Sequence, residues 1–120
     1  MLISSALIAA LIMVESGGND LAIGDNGKAL GVLQIHACVV EDVNRIYCIS
    51  FQHKDAYIRR RAIRMCEFYL HHYGRLYERR TGLPANDEVL ARIWNGGPRG
   101  YEKQATTKYW EKVQRALKQH

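Results

Sequence analysis

Glu15 is the side chain best placed to do chemistry, because of what surrounds it. No charged residue occurs at positions 2–14, and the stretch Leu11-Ile12-Met13-Val14-Glu15-Ser16-Gly17-Gly18 ends that run on a single carboxylate. The run reads as a buried helix over 2–15, closed by Gly17 and Gly18 in the left-handed conformation that ends helices. A helix C-terminus carries about half a negative charge, so a carboxylate there is disfavoured by about 0.3–1 kcal/mol even when exposed. Burial adds to that cost, and both effects favour the protonated form, so a raised pKa is expected. A carboxylic acid kept neutral near the working pH is what a general acid must be. A surface glutamate, with the chain emerging into solvent at Ser16, meets the same pattern, and position alone leaves the two readings level.

The elements that would hold such a group are mostly helical. The stretch 21–35 breaks helical periodicity, and Asp25-Asn26-Gly27 is a tight-turn signal between two short apolar runs, so a small irregular β-hairpin is expected. Helix returns from His36 to about Tyr47, with Val39, Val40 and Val43 on one side and Glu41, Asp42 and Arg45 on the other. Asp55 is predicted to cap a long amphipathic helix running toward Arg80, its apolar side chains from Ile58 to Tyr77 recurring at helical spacing. Residues 81–86 read as a surface turn. Asn86 or Asp87 then starts a short helix through Val89, Leu90 and Ile93, which the loop 95–100 ends. Thr106 is predicted to cap a last helix carrying Tyr109, Trp110, Val113 and Leu117. The expected fold class is mainly α, with about five helices and one hairpin in a single domain over 1–120.

Composition narrows the partners. A hydrophobic content of 48% argues against disorder, and a formal charge of +5 favours an anionic partner: nucleic acid, a membrane surface or a carboxylate-bearing cell-wall polymer. Arg59, Arg60, Arg61, Arg64, Arg75, Arg79 and Arg80 on the long helix would suit a nucleic-acid-binding domain. Asp55, Glu67 and Glu78 interrupt them and the apolar stripe faces the core, so they read as a solvated face, and no nucleic acid is expected. The apolar run at the start is too short for a membrane-spanning helix, which needs about 20 residues. No Lys or Arg precedes it, as one would in a secretory leader, so a soluble chain without stable membrane insertion is expected, its export signal lying outside these residues. Cys38, Cys48 and Cys66 are odd in number and lack C-x-x-C spacing; free, partly buried thiols are preferred over a single disulfide. His36, His53, His71 and His72 show no ligand spacing and read as surface or core residues, and no metal is expected.

Glu15-Ser16, Ala22, Gly27, the stretch Gly31-Val32-Leu33-Gln34-Ile35, the stretch Ile93-Trp94-Asn95-Gly96-Gly97 and the segment 106–113 follow one another over nearly the whole chain. Their order and spacing resemble the soluble-type lytic transglycosylases. The resemblance implies a lysozyme-like fold, with the hairpin beside a cleft, and cleavage of the β-1,4 bond between N-acetylmuramic acid and N-acetylglucosamine in peptidoglycan. By the same resemblance Glu15 falls on the catalytic glutamate and Ser16 on the serine beside it. Gly31, Leu33 and Gln34 fall on the stretch that lines the cleft, Asn95 on the asparagine of A-Y-N-x-G, and Tyr109 on the tyrosine of T-x-x-Y. Trp94 stands where a tyrosine is usual and keeps an aromatic platform. Glu15 would protonate the glycosidic oxygen, the substrate's acetamido group would support the cation-like transition state, and Glu15 would then deprotonate the sugar 6-hydroxyl to leave a 1,6-anhydro end. No metal or organic cofactor enters. The resemblance implies a monomer acting on glycan strands in the periplasm, outside the cell or with a phage.

A second carboxylate would change the product. Phage-type lysozymes carry an aspartate shortly after their glutamate, and Asp25 lies ten residues after Glu15. If Asp25 positioned a water, the chain would be an inverting muramidase. Asp before Asn-Gly is also ordinary turn chemistry, its side chain bonding nearby amides, and this reading is preferred; Asp20 has the same standing more weakly. Gln34 could bond a sugar acetamide or satisfy hairpin backbone, and the resemblance favours the cleft. Tyr109 could orient Glu15 or belong to the apolar face of its helix. Glu15 itself argues against an idle glycan-binding module.

Overall fold

The computed structural model describes residues 2–119. Helix α1 (Ser5–Ser16) starts three residues later than the apolar run predicts. Ser4 sets the start: its Oγ accepts the N–H of Leu7 at 3.1 Å, taking up a donor that the first turn leaves unpaired. Leu7, Ile8, Ala10, Leu11 and Ile12 are buried, and the helix ends where Gly17 (φ +65°) and Gly18 (φ +92°) turn left-handed.

Strands β1 (Ile23–Gly24) and β2 (Ala29–Leu30) form the expected hairpin, antiparallel, with Ile23 opposite Leu30 and Gly24 opposite Ala29. Asp25, Asn26 and Gly27 join them at φ of 49°, 55° and 88°. Three successive left-handed residues explain the composition of the turn, since Asp, Asn and Gly tolerate that region best. Leu30 then pairs with Ile35 through two backbone hydrogen bonds of 3.1 and 2.8 Å, which curls the chain back toward helix α2 (Ala37–Tyr47). That helix buries Val40 and Val43 and ends at Cys48, itself left-handed.

Asp55 does not cap the long helix. A 3-10 turn, His53–Tyr57, comes first, and the extended Ile58 separates it from helix α3 (Arg59–Thr81). Asp55 serves the turn instead: its carboxylate accepts the Gln52 N–H at 2.8 Å and the Arg61 guanidinium at 2.8 Å. Helix α4 (Asp87–Gly96) starts as expected, with Asn86 Oδ1 accepting the Val89 N–H at 3.0 Å, and closes at Gly97. Thr106 precedes helix α5 (Thr107–Lys118) but does not cap it with its side chain. Its buried hydroxyl lies 2.8 Å from the carbonyls of both Gly100 and Lys103, and accepts Arg92 Nε at 2.8 Å. Arg92 also donates to Glu88 and to the Lys103 carbonyl, so one guanidinium organises the whole loop 100–106.

The chain gathers into two units, one of residues up to Val14 and from Leu70 onward, the other Glu15–Tyr69. In the first, α4 packs on α5 and on the turn Gly100–Glu102, and Gly100 approaches so closely that a Cβ there would lie 1.9 Å from the Arg92 carbonyl. In the second, Leu33, Ile35, Val43, Met65 and Cys66 are fully buried. Among the described residues there are five α-helices and one two-stranded sheet, and no helix is long and apolar enough to cross a membrane.

Asp55 generates a stability prediction. The Gln52 N–H, and after it Arg61, hold its carboxyl below the usual range. A depressed carboxylate stabilises the fold in full above its ordinary pKa, and that contribution is lost as pH falls through the lowered value. Asp55→Ala should cost about 1 kcal/mol in urea denaturation at neutral pH, the usual scale for a lost cap. The gap to the parent protein should close on acidification.

Candidate active site

The site begins on the last turn of α1. Glu15 is half-buried there, in the Glu15–Tyr69 unit. Ser16 fixes the turn that carries it: its Oγ donates to the Val32 carbonyl at 2.7 Å and accepts the N–H groups of Gly18 and Asn19 at 3.2 and 3.1 Å. One donor and two acceptor positions are the whole capacity of a hydroxyl, and all are used. Arg59, at the start of α3, completes the hold, with Nη2 donating to the Gly18 carbonyl at 2.6 Å and Nε to Asp20 at 2.8 Å. Asp20 is therefore an anchor, and Arg59, though exposed as expected of a solvated face, is tied to this turn. Buried Cys66 stands within the field of Glu15. Burial first, then the charges of Glu15 and Glu67, push its thiol well above the usual range, so it stays protonated and unreactive. Cys38 and Cys48 are free and exposed, not partly buried.

Asp25 is exposed on the hairpin turn, and its carboxylate does not serve that turn as expected. It meets His36 instead, Oδ2 to Nε2 at 2.8 Å. This bond, more than the charges of His36 and Lys28, lowers the Asp25 pKa and keeps the carboxylate ionised. His36 was read as a plain surface or core residue. No local spacing could reveal it, since eleven residues separate the pair and only the curl through Ile35 brings them together.

The stretch expected to line the cleft has a different job. Leu33 is completely buried and belongs to the core, so it cannot touch substrate from that position. Gly31 (φ +79°) is buried against Ala56, whose carbonyl would lie 1.9 Å from any Cβ added there. Gln34 spends its amide on the hairpin, Nε2 donating to Ala22 O at 3.2 Å and Gly31 O at 3.0 Å, while its Oε1 fills the space above Gly24. Glu15, Ser16, Asp25, Gly31, Leu33 and Gln34 thus share one unit. Trp94 and Tyr109, both half-buried, and the exposed Asn95 belong to the other. Among the described residues no three His, Cys, Asp or Glu side chains converge as metal ligands would.

Five helices, one small antiparallel hairpin and a carboxylate closing the first helix make a lysozyme-like fold. Among solved structures, Tapes japonica lysozyme matches with a TM-score of 0.76 and 27% identity, over 92% of this chain and 88% of its own. Inhibitor-bound lysozyme from Meretrix lusoria matches with a TM-score of 0.78 and 28% identity, over 94% and 89%. In sequence, 41 residues are 54% identical to a lysozyme of Magallana gigas, a match that takes in 34% of this chain and 30% of that protein. The matched segment spans less than a third of that relative. No family model matches the chain. These likenesses are to invertebrate-type lysozymes. They favour the lysozyme alternative over the lytic transglycosylase that the motifs suggested, and lend no support to a bacterial or phage source.

Ser16→Ala should destabilise the protein by about 1–3 kcal/mol, because it leaves the buried Val32 carbonyl without its donor. Thermal denaturation measures this, and Ser16→Thr, which keeps the hydroxyl, should recover part of the loss.

Proposed function

We propose that this protein is a muramidase that hydrolyses the β-1,4 bond between N-acetylmuramic acid and N-acetylglucosamine of peptidoglycan, outside the cell and without a cofactor. The observation that carries this reading is the likeness to two lysozymes over more than nine-tenths of the chain. Glu15 is the general acid. The negative end of the α1 dipole favours its protonated form, and Ser16 and Arg59 hold its turn in place. Asp25 is the base: solvent-exposed, and oriented by the 2.8 Å bond to His36 that also lowers its pKa, it is an ionised carboxylate free to hold and deprotonate a water.

In this mechanism the Glu15 carboxyl delivers its proton to the glycosidic oxygen as the bond to the anomeric carbon breaks. A water on the opposite face of the sugar attacks that carbon and loses its proton to Asp25, so the new hydroxyl has inverted configuration. Both carboxyl groups then return to their starting states by exchange with solvent.

Three outcomes test this. Glu15→Gln should abolish release of muropeptides while leaving the circular dichroism spectrum intact. Asp25→Asn should lower kcat by about 10²–10⁴-fold, the usual contribution of a positioned base. Mass spectrometry of the products should show reducing ends, and proton NMR taken early should show the α-anomer. A 1,6-anhydro end would restore the transglycosylase, and a β-anomer would make Asp25 a nucleophile. The pH profile tests His36 separately. Because its hydrogen bond holds the Asp25 pKa down, the base stays ionised to lower pH, and the acidic limb of kcat/KM extends downward. His36→Ala should move that limb to higher pH, and an unmoved limb would take His36 out of the mechanism.

A further inference from the structure

A concavity of about 630 Å³ in the Glu15–Tyr69 unit is lined by none of the candidate catalytic residues. Its walls include Phe51, Lys54, Asp55, Arg61, Arg64 and Phe68. The chain there lacks regular structure at 49–52, yet it is held: the Asn44 side-chain amide donates to the Phe51 carbonyl and accepts the Phe51 N–H, both at 2.9 Å. Phe68 is held too, with the Tyr47 ring tilted 35° against it at 4.5 Å and the Tyr47 hydroxyl donating to the Phe68 carbonyl. A wall fixed by both backbone and ring contacts gives a pocket formed before any ligand arrives, which lowers the cost of binding.

The charge inside is unbalanced. Lys54, Arg61 and Arg64 face one carboxylate, Asp55, and Arg61 already takes it at 2.8 Å. The Arg64 guanidinium lies 4.6 Å from the centre of the Phe68 ring, and its carboxylate neighbour Glu67 is 3.9 Å away, too far for a hydrogen bond. A guanidinium resting on an aromatic face and held only by a long, exposed ion pair to Glu67 can exchange that weak partner for a carboxylate that reaches it bidentately. Arg64 and Tyr47 already occupy Phe68, so its ring is not open for a base to stack on, as single-stranded nucleic acid would require.

We infer that this groove, walled by Phe51 and Phe68 and lined by Lys54 and Arg64, binds the carboxylates of the short acidic peptides attached to the wall glycan. The choice of a wall peptide rests on the muramidase reading. The groove would hold the peptide branch of the polymer while Glu15 acts on the sugar backbone, two contacts on one substrate that raise effective concentration.

The test is a titration of the uniformly ¹⁵N-labelled full chain with a synthetic peptide, L-alanyl-γ-D-glutamyl-L-lysine, followed by amide and guanidinium shifts. Saturable shifts should cluster at Phe51, Lys54 and Arg64, and Arg64→Gln should weaken binding at least fivefold. Amidating the peptide's carboxyl groups should weaken it as much. Lys54→Gln, at an exposed position, is measured alongside so that a folding defect in the first variant does not decide the result. Shifts that are absent, that lie elsewhere, or that persist with the amidated peptide would overturn the inference, as would a single-stranded DNA oligonucleotide that displaces the peptide from the groove. Binding is read without turnover: glycan cleavage without peptide binding removes the groove alone, and peptide binding without glycan cleavage removes the muramidase reading alone.

Discussion

The hydroxyl of Ser16 is the contact on which the candidate site depends most. A carboxylate at the end of a helix is fixed only if the chain that turns away after it is held in place. Ser16 holds that turn with one oxygen. It donates to Val32, beyond the hairpin, and accepts the first two N–H groups that can reach it past Gly17. The register of the hairpin relative to Glu15 follows from that bond, and Gln34 then locks the hairpin's own mouth through Ala22 and Gly31. Gly31, Leu33 and Gln34, expected along the cleft, pack and hydrogen-bond within the segment that Ser16 ties to the end of α1.

Charge in this protein is used mainly to join segments. Seventeen basic side chains against twelve acidic ones suggest a surface made for polyanions. Several of the arginines are already committed: Arg59 to the segment after Glu15, Arg61 to Asp55, and Arg92 to the loop before α5. Exposed ion pairs contribute little each, at most about 1 kcal/mol. Their value here is geometric, since a guanidinium with several donors can hold two or three backbone strands of irregular chain at once. His36 does the same for Asp25, and its hydrogen bond lowers the carboxyl's pKa, so the carboxylate stays ionised further into the acid range.

Helix existence was legible in the residue pattern, and boundaries were legible where a side chain acts on its own neighbours. Gly17, Gly18, Asn86 and the Asp25-Asn26-Gly27 turn behave as their local chemistry requires. Asp55 and Thr106 were misread for a common reason. Asp55 caps the 3-10 turn ahead of the helix through the Gln52 N–H and is drawn on by Arg61, and the Thr106 hydroxyl is taken by Arg92 and two preceding carbonyls. Leu33 is buried because the turn at 31–34 packs both Val32 and Leu33 into the core, and a motif carries residue types and not their direction.

The sequence by itself determined the mainly helical class, the hairpin and the singular position of Glu15, because these follow from periodicity, turn chemistry and the sign of a helix end, all local in the chain. Only the tertiary structure decided which groups Asp25 and Gln34 bond. Their partners lie eleven and twelve residues away, at His36 and Ala22, and a side chain satisfied across such a distance leaves no periodic trace. The same holds for the basic groove. Asn44, Phe51, Arg64 and Phe68 are unremarkable one at a time, and their charge and rigidity belong to the arrangement, which exists only once the chain has folded around them.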